Sequence, residues 1–265
     1  MAINADRFRF DGKYSDTDFG LIICGIGSDL DDTTSGGSKL EKNTYYSPIR
    51  KTWNYIGFKY SEPLEFTFDV IKKDCYNTGT KLTRQDIEDI ERWLIRDGDK
   101  ELVIYKEGYE DVYFYGTFTN VDIKSIGGTD VGLSLTIQTN APFGFSGMKT
   151  VSIGSGTTVI DNSSEIGEIC VDVDITCNSA TNIIIQNTAT NDKVVFNNCV
   201  SGEKITIDGK TKIIKSSIDT HNIYDDFNFG YLHIRNTYDR RDNYISVEGS
   251  ATVTIKYQEI RKVGV

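Results

Sequence analysis

Histidine is nearly missing from this chain of 265 residues: His221 and His233 are its full complement. That removes most of the side chains able to move a proton near neutral pH. Other marks of catalysis are missing too. No Gly-x-Ser-x-Gly elbow occurs, and no cysteine has a motif-supported partner. Gly25-Ile-Gly27 lacks the third glycine of a dinucleotide fingerprint and opens no helix. Asp29, Asp31 and Asp32 crowd together, but neither the sixth-position glycine nor the distant bidentate glutamate of a calcium loop falls in place. His233 reads as a plain strand position in Tyr231-Leu-His-Ile-Arg235. Asp172 and Asp174 share one strand face and read as charge protecting an exposed strand, with nothing beside them to make a glycosidase pair. The expectation is a protein that is not an enzyme, with no catalytic residue, no cofactor and no metal.

Positive charge is short as well. The net charge is −10 and the pI near 4.8, and the deficit is shared. Residues 149–265 carry 12 Lys/Arg against 15 Asp/Glu, a balance of −3 that leaves −7 for the first part. Neither part offers a basic surface for counterion release, so sequence-specific nucleic-acid binding is excluded. No apolar run reaches membrane-spanning length, so no membrane insertion is expected. Met1-Ala-Ile-Asn-Ala-Asp lacks the basic start and apolar core of a secretory signal. Cys24, Cys75, Cys170, Cys177 and Cys199 are widely spaced with no C-x-x-C. They are expected to be reduced and mostly buried thiols of a cytosol-made protein. A disulfide from Cys170 or Cys177 to Cys199 stays open.

What the chain does hold is one strongly marked helix set among strands. Thr83 is an N-cap with Asp86 three residues on, and Leu82 and Ile87 are placed as a hydrophobic staple. Ile87, Ile90, Trp93 and Leu94 cover one face at helical spacing. Gly98 is the expected stop, which puts the helix near 83–96. The period then switches. Glu101-Leu-Val-Ile-Tyr105 and the aromatic run Asp111 to Phe118 form a hairpin across Glu107-Gly108. Val131, Leu133, Leu135 and Ile137 alternate with small polar residues before Pro142 ends the ladder.

Before the helix, Arg7-Phe-Arg-Phe enters an Asp11-Gly12 turn. Ser28 to Lys42 is a polar, glycine-rich loop, and Tyr45, Tyr46 and Trp53 to Tyr60 form an aromatic hairpin or long strand. A boundary near Gly144 to Thr150 divides a first domain, 1–147, from a second, 148–265. The second has no helical signal and many short apolar runs: Ile169 to Thr176, Ile183 to Gln186, Val194 to Phe196, Ile205 to Ile207, Lys212 to Ile214 and Tyr231 to Ile234. With Asp208-Gly209 as a hairpin turn, these make a β-sandwich. The fold class is mainly β: a β-rich domain with one α-helix, then a sandwich.

The chain resembles the distal tail proteins of long, non-contractile-tailed bacteriophages. The residues that carry the resemblance are the strand Glu65-Phe-Thr-Phe-Asp-Val70, the helix with Ile90 to Leu94, the Tyr/Phe-rich hairpin, Ala141-Pro142-Phe143 and the terminal Asp242 to Tyr257. The resemblance covers most of the chain and rests on patterns. It implies a structural virion protein at the distal end of the tail, made in the bacterial cytoplasm. It further implies a hexameric ring built by the first domain, a galectin-like second domain, and as partners the tail tube protein, a tail-tip protein and a receptor-binding protein. In that family the segment around Tyr45 to Tyr60 is an arm reaching the next subunit, which makes Tyr45, Tyr46, Trp53, Tyr55 and Tyr60 candidate inter-subunit contacts. An ordinary surface hairpin is the competing reading. The alternative function is a carbohydrate-binding module, because exposed aromatic rings also suit sugar faces.

Overall fold

A computed structural model of the chain describes residues 5–24, 40–72, 81–106, 111–165, 167–237 and 239–262. The elements in order are β1 (Arg7–Phe10), β2 (Lys13–Tyr14), α1 (Ser15–Phe19), β3 (Leu21–Cys24), β4 (Leu40–Ser47), β5 (Thr52–Tyr60), β6 (Glu65–Lys72), α2 (Arg84–Leu94), β7 (Lys100–Tyr105), β8 (Val112–Ile126), β9 (Thr129–Thr139) and β10 (Gly144–Phe145). There follow β11 (Lys149–Ile153), β12 (Gly156–Asp161), β13 (Glu168–Cys170), β14 (Asp172–Cys177), β15 (Thr181–Asn187), β16 (Asp192–Cys199), β17 (Lys204–Ile207), β18 (Ile214–Ser216), β19 (His233–Arg235), β20 (Asp242–Glu248), β21 (Ala251–Tyr257) and β22 (Ile260–Arg261). The chain divides into two compact units, Met1–Ser146 with Arg261–Val265, and Gly147–Ile260.

The first unit is an antiparallel sheet whose main path runs β2-β1-β7-β8-β9-β6-β3. Alternation turns Phe8, Phe10, Phe66, Phe68, Val70, Phe114, Phe118, Leu133, Leu135 and Ile137 into one core, as the period of two requires. The Asp11-Gly12 turn has both residues at positive φ, 48° and 78°, as a two-residue hairpin of matching twist needs. α2 covers the sheet with Ile87, Ile90, Trp93 and Leu94 buried. Its capping box forms: Asp86 N–H donates to Thr83 Oγ1 at 3.2 Å, and Thr83 N–H donates to Asp86 Oδ2 at 2.7 Å.

The structure corrects the helix reading in two places. α2 ends at Leu94 with Ile95 as an extended C-cap, so Gly98, at φ 75°, serves the turn into β7 and is not the stop. A second helix, α1, was not expected. Five residues hold too few periods to show in sequence, and its Tyr14 N-cap makes no side-chain bond. Its function in the core is plain: it brings Phe19 flat against Trp93, centroids 4.1 Å apart and 8° between planes. The Glu107-Gly108 turn lies outside the described residues, though β7 and β8 pair antiparallel as expected. β8 runs eight residues past Phe118 to Ile126, and a Gly127-Gly128 turn joins it to β9.

The second unit holds a five-stranded sheet, β11-β21-β14-β17-β18, and a four-stranded sheet, β12-β20-β15-β16, with β13-β19 as a separate pair. Each large sheet has one buried face: Val173, Ile175, Ile205, Ile207, Val253 and Ile255 on the first, and Ile183, Ile185, Val194, Phe196, Ile245 and Val247 on the second. The apolar run from Ile169 to Thr176 is two strands in different sheets, β13 and β14. Asp208-Gly209 is not a two-residue turn. It opens a longer loop in which Asp208 Oδ1 accepts from Lys210 and Thr211 N–H at 2.9 and 2.8 Å, and Ile207 pairs with Ile214.

Candidate assembly surface

β4 and β5 form a two-stranded ribbon that pairs with no other strand among the described residues. Its register runs from Leu40 opposite Tyr60 to Ser47 opposite Thr52, with a break where Asn43 faces Gly57 and Thr44 faces Tyr55. Ile56 is the extra residue of a bulge there. Directly opposed residues share a face, so Leu40, Lys42, Thr44 and Tyr46 lie on the same side as Tyr60, Phe58, Tyr55 and Trp53. Simple alternation along β5 would separate Trp53 and Tyr55 from Phe58 and Tyr60. The bulge reunites them. Contacts agree with this face: Tyr46 and Trp53 rings lie 5.3 Å apart, and Lys42 Nζ lies 5.6 Å from the centroid of Tyr55.

This face is exposed. Trp53 is 69 %, Phe58 57 %, Tyr55 56 %, Leu40 54 % and Tyr46 44 % accessible. Of the five candidate residues, Tyr46, Trp53, Tyr55 and Tyr60 share the face. Tyr45 lies on the other, opposite Asn54. Tyr60 roots the ribbon, its ring edge-on to Phe143 at 5.8 Å. Its hydroxyl is buried with no hydrogen-bond partner among the described residues, and burial pushes its pKa up. Sequence reading missed Phe58 and Leu40 as members of the face, because only the register shows that Ile56 is skipped.

The residues set aside for catalysis are placed as follows. His233 is more than a plain strand position: its Nδ1 lies 3.1 Å from Asp192 Oδ2 and its Nε2 3.5 Å from Lys212 Nζ. His221 bridges two carboxylates, with Nδ1 2.8 Å from Glu203 and Nε2 2.9 Å from Asp226. Asp172 and Asp174 do share a face, but β14 is an interior strand, so they do not protect an edge. Asp174 pairs with Lys256 at 2.7 Å, and Asp172 accepts from Gly209 N–H at 2.8 Å. Cys177 and Cys199 are buried and Cys170 is exposed, all three as free thiols, and Cys24 is intermediate in burial. Cys75, Gly25, Gly27, Asp29, Asp31 and Asp32 lie outside the described residues, with most of the polar loop.

A family model described as the phage tail protein N-terminal domain matches residues 3–141, and one described as the phage tail C-terminal domain matches residues 143–257. No curated protein matches the chain in sequence. Among solved structures, the Dit (gp 19.1) protein of phage SPP1, described as a paradigm of hub adsorption apparatus in Gram-positive infecting phages, is similar with a TM-score of 0.67. It is 13 % identical, over 96 % of this chain and 99 % of that one. A chain of the phage P2 baseplate, in its activated conformation with Ca, is similar with a TM-score of 0.50 at 13 % identity, over 96 % of this chain and 98 % of that one. At these identities the likeness is one of fold.

Proposed function

The chain belongs to the phage tail protein family, and from that premise we propose that it is the distal tail hub of a long, non-contractile-tailed phage, a prophage or a tail-like particle. In this reading it joins the tail tube to the baseplate or tip as a closed hexameric ring, and its second unit is a galectin-like sandwich. It contacts the tail tube protein, a tail-tip protein and a receptor-binding protein, assembles in the bacterial cytoplasm, and performs no catalysis.

The observation that carries the reading is the ribbon of β4 and β5. A two-stranded ribbon with neither face covered is marginal in water, and a contiguous aromatic face is the usual mark of a protein contact. In a cyclic ring the contact is heterologous, so this face meets a different surface of the neighbouring copy. Removing a central aromatic anchor costs about 2 kcal/mol or more per contact, roughly 30-fold, and closure repeats that loss around the ring. The sugar-binding alternative is less well supported. Lys42 and Thr44 are the polar members of the face besides its tyrosine hydroxyls, and among the described residues of the ribbon no carboxylate or amide shares that face to fix sugar hydroxyls.

The test is solution mass by light scattering over a concentration series, with negative-stain images of large species. A ring with a central hole is expected from the natural chain. Trp53→Ser with Phe58→Ser should leave smaller species whose far-UV circular dichroism matches that of the natural chain. A strict monomer at every concentration would overturn self-assembly.

A further inference from the structure

Cys177 ends β14 in one sheet of the second unit, and Cys199 ends β16 in the other. Both are buried, at 1 % and 2 % exposure, and Glu203 beside them is at 0 %. Hydrogen bonds within the turn Val200 to Glu203 fix that arrangement. Gly202 N–H donates to the Cys177 carbonyl at 2.8 Å, and Cys177 N–H donates to the Glu203 carbonyl at 2.9 Å. Val200 N–H donates to Glu203 Oε2 at 2.9 Å. Gly202 takes the left-handed position of the turn, φ 81°, which favours glycine. The two sulfurs and a Glu203 oxygen consequently lie within 4.8 Å of one another.

We propose that Cys177, Cys199 and Glu203 bind one thiophilic divalent cation of the Zn²⁺ class, which ties the two sheets of the second unit together. Two thiolates and a carboxylate form a donor set that suits zinc and disfavours magnesium or calcium. An ionised carboxylate has about four acceptor sites. On Glu203, Ser216 Oγ at 2.5 Å and His221 Nδ1 at 2.8 Å occupy Oε1, and Val200 N–H occupies one site of Oε2. One site of Oε2 stays open. Ser216 and His221 are thus positioning residues, orienting a ligand from outside the metal's own shell as such partners do in metal sites.

The competing fate of two neighbouring thiols is a disulfide. That needs an external oxidant and a thiolate nucleophile. Metal loading instead expels both protons, so binding should strengthen as pH rises.

The test uses the full chain, reduced with a phosphine, stripped with chelator and titrated with Co²⁺ and Cd²⁺. The expected result is a thiolate charge-transfer band that saturates at one equivalent, is displaced by Zn²⁺, and comes with a raised melting temperature of the second unit. Cys177→Ala and Cys199→Ala should each abolish the band, and Cys170→Ser should keep it. The natural chain decides the matter if the alanine variants fail to fold. No band in folded natural protein would overturn the proposal, as would a band that survives in the Cys177→Ala, Cys199→Ala double variant. So would a Cys177–Cys199 disulfide found by peptide mapping of the freshly purified chain under non-reducing conditions.

Discussion

The indole N–H of Trp93 donates to the main-chain carbonyl of Phe10 at 3.0 Å, a buried bond that latches α2 to the first strand of the sheet. The ring itself lies parallel to Phe19 on α1 and to Phe8 on β1, with centroids 4.1 and 5.5 Å away. One side chain therefore joins three elements that are far apart in sequence. Trp93→Ala should cost about 3–5 kcal/mol. Trp93→Phe keeps a stacking ring but loses the donor to Phe10, and should cost about 1–3 kcal/mol. Denaturant unfolding followed by far-UV circular dichroism checks both, and a Trp93→Phe variant as stable as the natural chain would deny the hydrogen bond a role.

Ile56 is exposed and sits between two well-formed rungs of the ribbon, Asn43 with Gly57 and Thr44 with Tyr55. Deleting it should make those rungs consecutive and leave Trp53, Tyr55, Phe58 and Tyr60 on one face. Oligomer mass should be unchanged. Deleting Gly57 as well should instead weaken assembly, because Phe58 would then follow Tyr55 directly and successive side chains of a strand point to opposite faces. Light scattering on the two variants distinguishes the cases, and equal behaviour would count against the face as the contact.

Glu259 is buried, with Lys149 Nζ at 2.8 Å and bonds from the N–H and hydroxyl of Ser163. Burial works against its charge, but Lys149 and Ser163 outweigh it and hold the carboxyl at about 2 against an ordinary 4.5. A depressed carboxyl contributes stability that is present above its unfolded value and lost as pH falls through the folded one. The second unit should therefore lose on the order of 3 kcal/mol between about pH 5 and pH 2. Glu259→Gln should flatten that part of the profile. Both tryptophans, Trp53 and Trp93, lie in the first unit, so far-UV circular dichroism, and not fluorescence, is the readout.

Gly116 lies in β8 where the backbone of β9 comes close: a Cβ there would stand 2.4 Å from the Gln138 carbonyl oxygen. Main chain cannot swing aside as a side-chain tip does. Gly116→Ala should destabilise the first unit by about 1–3 kcal/mol, the range for overpacking. An unchanged melting temperature would show that the two strands part freely at this point.

The sequence alone determined the elements whose causes lie within a few residues. Thr83 and Asp86 cap α2, and Ile87, Ile90, Trp93 and Leu94 repeat at helical spacing, so the helix and its buried face were legible. Phe66-x-Phe68-x-Val70 and Leu133-x-Leu135-x-Ile137 likewise declared their inner faces through a period of two. Tertiary structure decided what lies opposite each face. β20 and β21 follow one another across Gly249-Ser250 like the arms of a hairpin, yet they belong to different sheets. Gly249, at φ 100° and 2.3 Å in Cβ terms from the Asn182 carbonyl, takes a path that a side chain would obstruct. The skipped Ile56, the stacking of Trp93 on Phe19 and the meeting of Cys177, Cys199 and Glu203 were beyond reach for the same reason. Periodicity tells a strand which side to bury, while the partner that completes the burial is chosen by packing across the whole chain.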